Sequence, residues 1–254
     1  MGGELMRGAL LALALLVAAC GLPPSGPAPD PGDPGPGPGP HPTPPPGATL
    51  FLVDRPDSMN HSENLIRGRL TGLGLAVTIV DDDAFETATA DGCALVVMSK
   101  SVDDEKMGRK LKSVGCGVVF WDDNQQQLRM LATINNDGST GTTWHGQGNE
   151  IVMRGDAPAD LRAGLSGTVL FYTRRDEITF ARRDDAVAGA TIVAELKEPG
   201  GHKVIYVFDR GAILADGTPA AGRRAYFGLF TDTFQRLSPE GLALFDALVG
   251  WARR

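Results

Sequence analysis

Four short apolar runs, separated by segments of helical or turn-like pattern, restrict this chain more than any other feature. They are Thr49–Val53, 75–80, 94–98 and 117–121. The first is a continuous apolar run, which suits a strand buried on both faces. Between the first two, Asn60 and Glu63 have the spacing of a capping box. Leu65, Ile66, Leu70 and Leu73 then recur at helical intervals. Between the third and fourth, Asp103 and Asp104 open a second predicted helix, with Met107, Leu111 and Val114 on one face. Lys110 and Lys112 fall in its last turn, where a cation complements the helix dipole. Strands alternating with helices predict a parallel sheet covered by helices.

The second half is richer in strands. The pattern predicts them at Glu150–Met153, 168–173, Thr191–Leu196, 204–208 and 225–230. Pro199-Gly200-Gly201 reads as a turn joining the third and fourth of these as a hairpin. Ser238 as N-cap and Pro239 at the first helical position begin a last helix. Leu242, Phe245, Leu248, Val249 and Ala252 form its expected buried face. The expected fold is α/β, three-layer and flavodoxin-like, with a mostly parallel sheet and a β-rich C-terminal part. Apolar residues make up 42% of the chain, enough for such a core.

The N-terminal residues have a different character. Arg7 precedes an apolar run from Ala9 to Ala19, of signal-peptide length and too short to span a bilayer comfortably. The run ends Leu16-Val17-Ala18-Ala19-Cys20-Gly21, which resembles the lipobox of bacterial lipoproteins. The resemblance implies cleavage before Cys20 and acylation of Cys20, and stable anchoring takes two such signals. Gly21 in place of Asp after the cysteine resembles outer-membrane sorting. Residues 21–47 then hold 13 of the 18 prolines. They form an extended tether without a core, reaching roughly 80 Å at about 3.1 Å per residue. The expected organisation is a signal peptide at 1–19, a lipidated cysteine and linker at 20–47, and a folded domain at 48–254. The expected location is the bacterial cell envelope, lipid-anchored in the outer membrane.

A net charge of −7 and 6% aromatic residues argue against a nucleic-acid partner. Within the domain, four pieces occur in order. They are Leu73-Gly74-Leu75-Ala76-Val77-Thr78-Ile79-Val80-Asp81, then Leu95-Val96-Val97-Met98-Ser99-Lys100-Ser101, then the turn at 157–167 ending Gly164-Leu165-Ser166-Gly167. The fourth is Arg224-Ala225-Tyr226-Phe227-Gly228-Leu229-Phe230 with Leu237-Ser238-Pro239-Glu240-Gly241. Together they resemble the class I glutamine amidotransferase-like fold, and more narrowly its ThuA-like group. Active amidotransferases carry a cysteine nucleophile on a sharp turn after the strand that matches 118–121. This chain has Trp121-Asp122-Asp123-Asn124 there, without a Cys, Ser or Thr to activate. The resemblance therefore implies a domain without amidotransferase chemistry, acting as a binding or interaction module for carbohydrate or an envelope protein.

In open α/β sheets, ligands sit beyond the carboxyl ends of the strands. That places Asp54, Ser99, Lys100, Ser101, Trp121, Asp122 and Asp123 around one expected crevice, with Trp121 as its aromatic wall. A competing reading is a hydrolase using Asp54, Asp122, Asp123 or His145. A third is a structural envelope protein. Asp81-Asp82-Asp83 lacks the spacing of a calcium loop and reads as a solvated turn. His41, His61, His145 and His202 have no metal-ligand spacing, and no signature calls for a cofactor. Residues 135–149 read as a long polar loop, either an exposed excursion or a cover for the crevice. Cys93 and Cys116 each follow a glycine and open a predicted strand. They fit either a disulfide or two buried thiols.

Overall fold

The computed structural model describes residues 44–122, 143–181, 189–198, 201–214 and 216–254. The side chains of residues 143–145 lie outside that description. So do Cys20, most of the tether, Asp123, His41 and the catalytic candidate side chain of His145. Among the described residues, no helix is long and apolar enough to cross a membrane. The last residues of the tether belong to the folded body: Pro44 is buried, and the Gly47 amide donates to the Gly92 carbonyl at 2.8 Å.

Eleven described strands form one sheet. In chain order they are β1 (Thr49–Val53), β2 (Val77–Asp81), β3 (Leu95–Met98), β4 (Gly117–Phe120), β5 (Thr143–Gly148) and β6 (Glu150–Met153). There follow β7 (Thr168–Leu170), β8 (Asp176–Ala181), β9 (Thr191–Leu196), β10 (Lys203–Phe208) and β11 (Arg224–Phe227). The main path runs β2-β1-β3-β4-β11-β10-β9-β6-β7, with the β5–β8 ribbon attached beside β10. The first five strands of that path pair in parallel. Every pairing from β10 onward is antiparallel. The sheet is therefore mixed and strand-rich, and the expected mostly parallel sheet holds for one half only. The reason is connectivity: parallel neighbours need a long crossover, and the second half is joined by hairpins and short turns.

The continuous apolar runs are explained by burial on two faces. Phe51, Val53, Leu95, Val97, Val119 and Trp121 belong to one core, Leu50, Leu52, Val96, Met98, Val118 and Phe120 to the other. Alternate residues of a strand point to opposite sides, so each run feeds both cores. The first core is covered by α1 (His61–Gly72) and by the C-terminal helix, α3 (Pro239–Ala252). Asn60 and Glu63 make the expected reciprocal cap of α1. Only Ile66 and Leu70 face the core, while Leu65 and Leu73 are exposed. Ser238 caps α3 as expected, accepting from the Gly241 amide at 3.0 Å, and its hydroxyl donates to the Leu170 carbonyl at 2.7 Å.

The second face departs from the expected helical layer. The helix predicted from Asp103 is the single turn α2 (Asp104–Met107). It stops at Gly108, where φ is +49°, a conformation that favours glycine. The chain continues in tight turns, with Lys110 donating to Met107 and Lys112 to Arg109. Met107, Leu111 and Val114 are buried nonetheless. Lys110 and Lys112 thus lie past the helix, outside any last turn. The stretch expected as a loop at 135–149 contains β5. Its polar, glycine-bearing sequence lacks strand alternation, and pairing with β8 over six residues supplies the order.

Candidate functional site

All five parallel strands point the same way, so their carboxyl ends share one edge of the sheet. The strand path changes direction at β1, which has β2 on one side and β3 on the other. Such a reversal opens a crevice beyond the strand ends. Asp54, Ser99, Ser101, Trp121 and Asp122 follow directly from β1, β3 and β4, so the topology brings them to this edge.

The side chains there form two knots. In the first, the Glu63 carboxylate is buried in the opening turn of α1. Its Oε2 accepts from the Asn60 amide at 2.7 Å, and its Oε1 accepts from the Ser99 hydroxyl at 2.8 Å and from the Ser101 hydroxyl. Ser101 Oγ also accepts the Asp54 amide at 3.2 Å. The end of β3, the end of β1 and the start of α1 are thus tied through one carboxylate. The helix N-terminus favours negative charge, and three donors offset its desolvation. Ser99 and Ser101 are engaged by this knot, and the Asp54 carboxylate turns to Arg55 at 3.2 Å.

In the second knot, Lys100 Nζ lies 3.2 Å from Asp122 Oδ2, both largely buried, and 5.7 Å from the centre of the Phe230 ring. Asp122 follows β4 after Trp121. Neither it nor Trp121 has the left-handed backbone of a sharp elbow. Trp121 is only 1% exposed and packs in the core under α1 and α3. The expected aromatic wall is therefore corrected: the Trp121 ring faces inward, because residue 121 continues the alternation that puts Val119 in the same core.

Among the described residues, the aromatic side chain bordering a depression at this edge is the half-buried Phe230. It borders an open depression of about 370 Å³ beyond the end of β11, with Asp176, Glu177, Asp232, Gln235 and Arg236 around it. Asp176 and Arg236 pair at 3.2 Å across it. Beneath, the Thr233 hydroxyl accepts from the Phe230 amide at 2.8 Å and joins the buried Tyr172 hydroxyl at 2.8 Å, which fixes the loop. Sequence reading missed Glu63, which it saw only as a cap, and Phe230, which it saw only as a strand residue. No pattern along the chain pairs either with its neighbours.

Asp81, Asp82 and Asp83 are not a solvated turn throughout. Asp82 is fully buried, and its Oδ2 accepts the Asp103 amide at 2.6 Å. Burial pushes its carboxyl above the usual carboxylate range. The three carboxylates lie close enough to share a cation. The Lys106 ammonium already stands there, 2.7 Å from Asp83 and 3.6 Å from Asp82. His61 is exposed, and His202 stacks on Phe180 at 4.3 Å.

The opposite, amino edge holds Cys93 and Cys116, joined as a disulfide with Cα atoms 6.2 Å apart. Neighbouring Arg224 is fully buried. Its guanidinium donates to the carbonyls of Leu111, Lys112, Val114, Cys116 and Arg223. Burial pushes its pKa down to about 10.

No protein-family model matches the chain, and no curated protein matches it. Among solved structures, a crystal structure of a ThuA-like protein from Parabacteroides merdae superposes with a TM-score of 0.51 at 13% identity. The match covers 82% of this chain and 90% of that one. The fold is therefore α/β and ThuA-like.

Proposed function

We propose that the protein is an outer-membrane lipoprotein, anchored through acylated Cys20, whose ThuA-like domain binds carbohydrate and does not transfer amide nitrogen. The carrying observation is the depression beside Phe230. Its size falls in the range of small-molecule clefts, roughly 300–1,000 Å³. The half-buried ring offers an apolar face to the C–H face of a sugar. Asp176, Asp232, Gln235 and Arg236 offer acceptors and donors for hydroxyls. Asp122, engaged by Lys100 at the nucleophile position, supports binding over acyl transfer. We also read the parallel block β2-β1-β3-β4-β11 as a flavodoxin-like core, because it has that strand order.

The test is a binding screen of the full chain in detergent against glycans and peptidoglycan fragments. A ligand should bind the parent, and Phe230→Ala should weaken it at least tenfold while the fold is kept. A folded parent that binds nothing in the screen contradicts the function. Undiminished binding by Phe230→Ala contradicts the location. Membrane attachment is tested separately: Cys20→Ala should release the chain from the membrane fraction.

A further inference from the structure

A second cavity, of about 530 Å³, lies at the amino edge, across the sheet from the depression just described. Its walls are the starts of β3, β4 and β11, the turn after β10 and the end of α3. Four arginines line it, Arg210, Arg223, Arg253 and Arg254, against two carboxylates, Asp91 and Asp209. Arg254 pairs with Asp160 and Arg223 with Asp209, which leaves Arg210 and Arg253 beside Asp91 among the lining charges.

The guanidinium groups differ in how far they are committed. Arg223 is fixed: Nε donates to Asp209 Oδ1 at 3.0 Å, Nη1 donates to the Trp251 carbonyl at 2.7 Å, and the group lies 4.8 Å over the Trp251 ring. Arg254 reaches away to Asp160 at 2.6 Å. Arg210 is held by the Gly115 carbonyl at 2.8 Å and makes no ion pair among the described residues. Arg253 is exposed and has no acidic partner among them either. The wall behind is closely built. A Cβ on Gly117 would stand 2.0 Å from the Ala252 carbonyl oxygen, so β4 and the end of α3 meet backbone to backbone.

We propose that this cavity binds a phosphate-bearing ligand. Arg210 and Arg253 supply forks that make no ion pair among the described residues, and Arg223 a third, pre-positioned one. A guanidinium matches phosphate oxygens with two parallel hydrogen bonds. The cavity is larger than a lone phosphate needs and suits a phosphorylated small molecule or a phospholipid headgroup. The chain enters the domain at the cavity's rim, where Gly47 bonds Gly92. The proposal stands apart from carbohydrate binding at Phe230 and survives its failure.

The experiment is calorimetric titration of the full chain in detergent with two probes, inorganic pyrophosphate and dihexanoyl phosphatidylglycerol. At least one should bind saturably, once per chain. The tighter probe identifies the source, free phosphorylated solute or lipid headgroup. The double variant Arg210→Gln with Arg253→Gln should bind at least tenfold more weakly. Both side chains are exposed, so the fold, checked by circular dichroism, is retained. Lys197→Gln, remote from the cavity, should change nothing. Absence of saturable binding by both probes, or undiminished binding by the double variant, overturns the proposal.

Discussion

Each edge of the parallel block buries a charge held by neutral dipoles, an anion at one edge and a cation at the other. At the carboxyl edge Glu63 is such a group, in the first turn of α1, and Asp82 and Asp122 are buried there too. At the amino edge it is Arg224, beside the turns before β4. The N-terminal turn of α1 favours the Glu63 charge, and the turn carbonyls before β4 favour that of Arg224. Glu63 and Arg224 are each satisfied mainly by neutral dipoles. Glu63 takes one amide and two hydroxyls, and Arg224 takes five carbonyls. The comparison teaches that most of the polar residues at these edges hold the domain together. The ligand sites proposed above use the margin: Phe230 and its loop on one side, Arg210 and Arg253 on the other.

The largest expected effect is at Arg224. Arg224→Met strands the carbonyls of Leu111, Lys112 and Val114 in the interior. It should destabilise the domain by about 3–5 kcal/mol, since a hydrogen bond to a charged group contributes about 1.5–3. A urea-unfolding loss below about 1 kcal/mol would show that the guanidinium is dispensable. Next comes the disulfide at the same edge. Cys93 and Cys116 close a loop of 23 residues, for which chain entropy gives about 3 kcal/mol. Unfolding with and without reductant should differ by that order, and Cys93→Ser should abolish the difference.

At the carboxyl edge, Glu63→Ala removes the acceptor of three donors. It should cost about 2–3 kcal/mol, since each orphaned donor is worth roughly 1 kcal/mol net. Glu63→Gln, which keeps an acceptor for the serines, should cost less. Equal losses in the two variants would show that the hydroxyl contacts contribute nothing.

The smallest effect is in acid. Asp82 at the carboxyl edge titrates above its ordinary value because it is buried, and Asp209 at the amino edge titrates below it because it accepts from Arg223. The signs are opposite. Ionised Asp82 costs stability, and that cost is relieved as pH falls from its raised pKa to the ordinary carboxylate value. The Asp209 contribution is present above the ordinary value and is lost as pH falls through its depressed one. Asp82→Asn should therefore flatten a gain on acidification, and Asp209→Asn a loss. Stability–pH curves that move the same way for both variants contradict the assigned causes.

The parts of the fold set by local rules were legible in the chain. The four apolar runs, the Asn60–Glu63 and Ser238 caps, and the hairpin of β9 and β10 all follow from residue type and spacing. Features set by distant partners were not. β5 has no strand pattern of its own and exists through β8. Gly108 ends α2 although the apolar spacing runs on to Val114. Trp121 reads equally well as a cleft wall or a core ring, and only the register of β4 with β3 and β11 decides. Ser99, Ser101, Asp54 and Asp122 were placed at the right edge by topology. That Glu63 and Lys100 hold most of them was not written in any local pattern.

The most direct measurement of the proposed role is hydrogen–deuterium exchange of the full chain with and without a saturating glycan from the screen. Binding at the carboxyl edge predicts slowed exchange in residues 228–236 and at the start of β8, with the amino edge unchanged. Protection confined to other segments, or none despite bound glycan, would contradict it.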